Sequence, residues 1–134
     1  MSHNQNSYTY SGGCHCKRVR WNLMLKTAIK DFEIIACNCS MCEKFAYLHI
    51  IVPKQNLEIE SCADSLSNYQ FNKKIAKHYF CKICGVKSFY VPRSNPNGVS
   101  MNANCIDDLS TNLFVLCVIS NLLSKIKIQY QFTN

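Results

Sequence analysis

Three short stretches of this chain concentrate thiols: Cys14-His15-Cys16, Cys37-Asn38-Cys39-Ser40-Met41-Cys42 and Cys81-Lys82-Ile83-Cys84-Gly85. Thiols one or two residues apart suit zinc, which takes four N or S ligands in a tetrahedron with Zn–S about 2.3 Å. In C-x-x-C the chain loops back, so both sulfurs face one ion. Gly85 directly after the pair suits that tight backbone, because glycine adopts positive φ without strain. In C-x-C on extended backbone, positions i and i+2 point to one face. Cys14/Cys16 and Cys81/Cys84 together complete a closed structural site of four thiolates. It would tie the first strand to the middle of the domain and add metal-binding energy to folding. Cys37, Cys39 and Cys42 supply three thiols and no local fourth ligand. Left open, such a site holds water or a substrate thiolate and acts as a Lewis acid. Closed, it takes a distant ligand, with Cys105 first and His49 and His78 behind it. Spacing leaves the two cases level.

The other chemistry-bearing residues have plainer readings. Cys62 and Cys117 stand alone and read as packing residues. His15 lies on the face opposite its two neighbouring ligands and reads as exposed. Asp107-Asp108 reads as a solvated turn rather than a general base. A redox role for Cys81 and Cys84 fits poorly, since the thioredoxin type sits beside a βαβ unit and here strands lie on both sides.

The chain has 134 residues, ten of them cysteine, with 48% apolar and 17% charged residues. That length implies one domain spanning 1–134 around one core, and the apolar content excludes disorder of the whole chain. Met1–Tyr10 is polar and unlike a signal peptide, so an intracellular setting, cytoplasmic or nuclear, is expected, where thiols stay reduced. The formal charge of +7 counts every thiol as neutral. Seven metal-bound thiolates remove seven charges and two Zn²⁺ return four, which leaves +4. The apparent basicity is partly uncounted metal chemistry.

The elements that must position these thiols read as strands. From Lys17 to Leu25 apolar and polar residues alternate, with Val19, Trp21, Leu23 and Leu25 on one face. Phe32, Ile34 and Ala36 repeat the pattern up to Cys37, and Ser40–Lys44 is polar enough for one helical turn. Tyr47–Val52 is β-branched and aromatic and ends at Pro53. Leu57–Glu60, Tyr69–Phe71, Ile75–Phe80 and Val86–Val91 are further short strands. Ser7–Tyr10 is another, stopped by Gly12-Gly13. The breaker-rich Pro92–Gly98 follows. This pattern predicts an antiparallel all-β domain. Leu113–Leu123 is an apolar run of eleven residues, too short for a membrane span and read as a buried strand or helix. Lys125–Phe132 alternates strictly, which predicts a final strand.

Gly12-Gly13-Cys14-His15-Cys16, Val19-Arg20-Trp21, the Cys37–Cys42 cluster and Phe80-Cys81-Lys82-Ile83-Cys84-Gly85 together resemble the glutathione-dependent formaldehyde-activating enzyme family. The stretch Cys84–Gly98, with Asn104-Cys105-Ile106-Asp107, looks specifically like its centromere protein V branch. The resemblance covers about 8–108, in order and with matching gaps, and leaves 109–134 as a divergent C-terminal tail. It implies an Mss4-like (β-tent) fold of coiled antiparallel sheets. It also implies a structural zinc on Cys14, Cys16, Cys81 and Cys84 and a catalytic-type zinc on Cys37, Cys39 and Cys42. The implied activity is joining glutathione to formaldehyde as S-hydroxymethylglutathione, a carbon–sulfur lyase chemistry. Members near centromere protein V are linked to chromatin.

Two functions follow. The first is a zinc enzyme acting on a thiol adduct, with Arg18, Lys73, Lys74 and Lys77 available to attract glutathione carboxylates. The second is a non-catalytic zinc-stabilised module for protein or nucleic acid. It rests on six basic residues between Lys73 and Arg93, interleaved with Tyr79, Phe80, Phe89 and Tyr90.

Overall fold

A computed structural model describes residues 6–37, 39–60, 63–107 and 126–129. The alternation around Trp21 forms a hairpin: β1 (Tyr8–Gly13) pairs antiparallel with β2 (Arg20–Leu25), with Gly12 opposite Trp21. Val19, Trp21, Leu23 and Leu25 are all buried, as their spacing predicts. The glycines do not stop β1. They sit within it because a Cβ on Gly12 would lie 2.4 Å from the Cys105 carbonyl oxygen and 2.5 Å from the Trp21 ring.

The chain continues through β3 (Ile34–Cys37), the single helical turn α1 (Cys42–Phe45) and β4 (Leu48–Pro53). Then come β5 (Leu57–Ile59), β6 (Leu66–Tyr69), β7 (His78–Cys81), β8 (Phe89–Tyr90) and β9 (Gly98–Asn102). The last is β10 (Ile126–Gln129). Three sheets result, in the orders β1-β2-β5, β10-β3-β4-β9-β8 and β6-β7. All pairings are antiparallel except that of β10, which runs parallel to β3. The nearly all-β architecture, with its cysteine clusters, agrees with the Mss4-like fold.

The core lies between the β1-β2-β5 sheet and the larger one. Trp21, Leu23 and Val19 meet Ile50, Val99, Met101 and Ile106 there. Full burial of side chains of this size is the main stabilising term, at about 1.5–3 kcal/mol each. Trp21 Nε1 also donates to Ser88 Oγ at 3.1 Å, so its one polar group is satisfied inside.

Two further readings change. Phe71 lies beyond β6, which runs earlier than Tyr69–Phe71. The central strand β9 follows directly on the breakers at Pro92–Gly98. It is hard to see in sequence because Val99, Ser100, Met101 and Asn102 are all buried, so neither face alternates with solvent. The apolar run Leu113–Leu123, Cys62 and Cys117 lie outside the described residues. Among the described residues, no helix is long and apolar enough to cross a membrane.

Candidate metal centres and the adjoining cavity

Cys14 and Cys16 sit in the turn between β1 and β2. The Cys14 amide donates to the Val19 carbonyl at 3.0 Å, and Lys17 takes a left-handed φ of 66° to close the turn. Cys81 ends β7, and Gly85 N–H donates back to the Cys81 carbonyl at 2.8 Å with φ +78°, as the C-x-x-C-G spacing requires. The two turns bring Cys14, Cys16, Cys81 and Cys84 together with all four sulfurs within 4.8 Å of one another. Cys16 Sγ lies 3.6 Å from both Cys14 Sγ and Cys81 Sγ. A zinc tetrathiolate with Zn–S of about 2.3 Å has tetrahedral edges of about 3.8 Å. The four sulfurs therefore fit zinc with little rearrangement.

The second cluster is built differently. Cys37 ends β3, and Cys42 opens α1. The turn between them is held by Glu43 N–H donating to the Cys39 carbonyl at 3.0 Å and by Cys42 N–H donating to Cys39 Sγ at 3.3 Å. Ala46, left-handed at φ 49°, ends the helical turn and turns the chain into β4. The close group here is Cys37, Cys42 and His49, whose donor atoms lie within 4.8 Å of one another. His49 is 3% exposed. Its Nδ1 lies 2.9 Å from Ser100 Oγ and 3.3 Å from the Tyr90 hydroxyl, while its buried Nε2 has no hydrogen-bond partner among the described residues. Burial, and then the Lys87 ammonium, pushes its pKa down to about 4, so the ring is neutral at pH 7. A neutral imidazole with an orphaned nitrogen beside two thiols is a donor set that zinc takes.

A cavity of about 180 Å³ opens beside this cluster. Cys37, Cys39 and Cys42 line one side, and Lys73, Lys74 and Arg93 stand around it. Another wall is a stack of rings: Phe71 on His78 at 5.3 Å, and His78 on Tyr90 at 4.9 Å and 9°. Asn72 and Lys74 hold left-handed φ values of 52° and 54°, which bends the loop after β6 over the opening.

Behind the rings lies Lys87, 3% exposed and without a carboxylate partner among the described residues. Its Nζ is 2.6 Å from His78 Nδ1, 4.1 Å from the Tyr90 ring centre and 5.1 Å from that of Tyr47. Burial pulls the ammonium down to about 8, and the nearby Cys42 and Cys39 act in the opposite sense. Burial, with Lys87 second, brings His78 down to about 4.

Several sequence expectations fall elsewhere. Cys105 joins neither close group of donors. It ends the short 3-10 turn Ala103–Cys105, with its thiol toward the Lys87 carbonyl at 3.9 Å. Burial raises that thiol to about 12, and the charges of Cys14 and Cys84 add to the shift. His49, and not Cys39, is grouped with Cys37 and Cys42, while Cys39 lines the cavity and His78 faces it as a stacked ring. Arg18 stays in the loop that carries Cys14 and Cys16, and Lys77 pairs by backbone with Val91, away from the cavity lining. Asp107 forms a salt bridge with Arg20 rather than serving as a base. The basic and aromatic stretch from Lys73 to Arg93 is not one surface, since Lys87, Phe89 and Tyr90 are buried. It gives no support to nucleic-acid binding.

Comparison with known proteins points one way. The family model described as glutathione-dependent formaldehyde-activating enzyme matches residues 9–114. A crystal structure of a protein from Rhodobacter sphaeroides is similar in fold, with a TM-score of 0.70 and 26% sequence identity. The match covers 89% of this chain and 99% of that one.

Proposed function

The chain belongs to the glutathione-dependent formaldehyde-activating enzyme family, and from that premise we propose that it is a zinc-dependent carbon–sulfur lyase. Its substrate class is a thiol adduct such as S-hydroxymethylglutathione, formed from glutathione and formaldehyde. Two zinc ions are assigned: a structural one on Cys14, Cys16, Cys81 and Cys84, and a catalytic one on Cys37, Cys39 and Cys42. The second ion, when bound, supplies a Lewis acid that keeps a thiol ionised at neutral pH.

The observation that carries this reading is that Cys37, Cys39 and Cys42 all line one cavity with a basic rim. At about 180 Å³ the cavity is smaller than the sites that enclose drug-sized ligands. It suits the thiol end of glutathione and a one-carbon unit. The remaining carboxylates are left at the rim, where Lys73, Lys74 and Arg93 attract them. The Phe71, His78 and Tyr90 rings wall the one-carbon unit off from bulk water. In the forward direction the thiolate sulfur attacks the formaldehyde carbon and the C=O electron pair moves to oxygen. Water protonates that oxygen. The reverse reaction returns the proton and breaks the same C–S bond.

Exchange spectroscopy by NMR on a mixture of glutathione and formaldehyde tests this. The zinc-loaded protein is expected to speed interconversion of free formaldehyde and its adduct, and Cys42→Ala is expected to abolish the acceleration. A wild-type rate equal to that of buffer overturns the assignment.

A further inference from the structure

We infer that His49 is a ligand of the cavity-side metal ion and is the donor that an incoming thiolate replaces. The inference rests on the reading that Cys37, Cys39 and Cys42 hold that ion. Its own support is separate. His49 projects from β4, where it stands opposite Ile35 of β3 and Asn102 of β9, so its backbone is held on both edges. The ring is packed between Tyr47, at 4.5 Å between centres, and Tyr90, at 5.6 Å. Ser100 Oγ anchors Nδ1 at 2.9 Å. With the proton on Nδ1, Nε2 keeps a free lone pair, and a ring nitrogen of His49 lies within 4.8 Å of the Cys37 and Cys42 sulfurs.

This is how metal-bound histidines are held: one ring nitrogen is tied by a hydrogen bond, which fixes the tautomer and the direction of the other. A histidine serving only as packing would find a partner for Nε2, because buried polar groups are nearly always satisfied. Here that nitrogen has none among the described residues. Cys39 lies outside this close group but lines the same cavity; were it to turn in, the set would be three thiolates and one imidazole, a tetrahedral combination familiar for zinc. Such a set leaves no vacant corner, so a substrate sulfur must displace a donor. His49 is the neutral member, and its departure separates no charge from the ion. No bond is made or broken in this exchange other than the two metal–donor bonds, one formed to sulfur and one released from Nε2.

NMR of the full-length protein loaded with cadmium-113 tests both parts. Two cadmium resonances are expected, of which one disappears in Cys42→Ala. That one is expected to show scalar coupling to the His49 ring protons, and glutathione is expected to remove the coupling. In zinc titrations, His49→Ala is expected to weaken the second site by at least about tenfold, with partial recovery on adding imidazole. A second-site cadmium with no coupling to His49, or a coupling that persists when glutathione is bound, overturns the inference and leaves the proposed function standing. A protein that takes up a single cadmium, at Cys14, Cys16, Cys81 and Cys84, overturns both.

Discussion

Cys14, Cys16, Cys81 and Cys84 reach one point from two tight turns far apart in sequence, whereas Cys37, Cys39 and Cys42 come from one short stretch beside a cavity. The first cluster is saturated by its own four sulfurs and stitches the β1–β2 turn to the end of β7. The second is unfinished by sulfur alone. A histidine from β4 stands beside it, and the cavity it lines is walled by stacked rings with Lys73, Lys74 and Arg93 around it. The same residue type thus serves two purposes, and the surroundings decide which. A metal knot needs long sequence separation and four good donors. A reaction site needs access, an incomplete thiol set and charge around its mouth.

The sharpest way to break this contrast is to exchange the consequences of the two clusters. Cys81→Ser removes a donor from the saturated site. Because metal binding there is coupled to folding, it is expected to lower the thermal midpoint by more than about 10 °C, with loss of bound zinc seen by elemental analysis. Cys42→Ala, at the other cluster, is expected to lower the exchange rate by at least about 1000-fold while moving the midpoint by only a few degrees. If both substitutions unfold the protein, or both leave activity intact, the division of labour is wrong.

Charge at the rim gives a smaller effect. The double substitution Lys73→Glu and Lys74→Glu is expected to raise KM for the glutathione adduct about tenfold, with kcat within twofold. Added salt should shrink the difference, as for screened surface attraction. Arg18→Glu, beside the first cluster, is expected to leave KM unchanged. Equal effects at the two places would remove the reason for placing substrate at the second.

An effect on stability rather than on turnover is expected at Lys87, buried behind the cavity wall with His78 Nδ1 as its near polar partner. Its pKa is held near 8 in the folded protein, against an ordinary value of 10.5. Between those values the unfolded chain binds more protons, so the Lys87 contribution makes stability rise with pH across that window. At pH 7 the buried ammonium is a cost. Lys87→Met is therefore expected to stabilise the fold at pH 7 by about 1–3 kcal/mol in urea titrations and to flatten the rise between pH 8 and 10.5. Destabilisation by that amount would mean that the contacts with His78 and the tyrosine rings outweigh the desolvation of the charge.

Much of this arrangement is legible in the sequence wherever local spacing carries it. The period-two run through Val19, Trp21, Leu23 and Leu25 sets one buried face, and the C-x-x-C-G spacing sets the left-handed Gly85. Both are determined within a few residues. What depends on distant partners is not legible. Strand β9 has no alternation because both its faces are covered. His49 looks like any polar residue in a β-branched run, and only the fold brings its ring within reach of Cys37 and Cys42. Cys105 leads the distant candidates for a fourth donor because it is a thiol, yet a lone cysteine has no spacing to fix its direction, and the turn at Ala103–Cys105 points it toward the Lys87 carbonyl. The missing strand signal and the undetermined direction of Cys105 share one cause: β9 and its following turn are defined by what packs on them.

The central claim is that one thiol cluster holds the fold together while the other receives substrate. Anomalous diffraction at the zinc edge, on crystals of the zinc-loaded protein grown with and without glutathione, tests it most directly. Two anomalous peaks per chain are predicted, one among Cys14, Cys16, Cys81 and Cys84 and one at Cys37, Cys39 and Cys42. The glutathione sulfur is predicted beside the second peak and absent from the first. A single peak at the first cluster, or glutathione bound away from the second, would contradict the account.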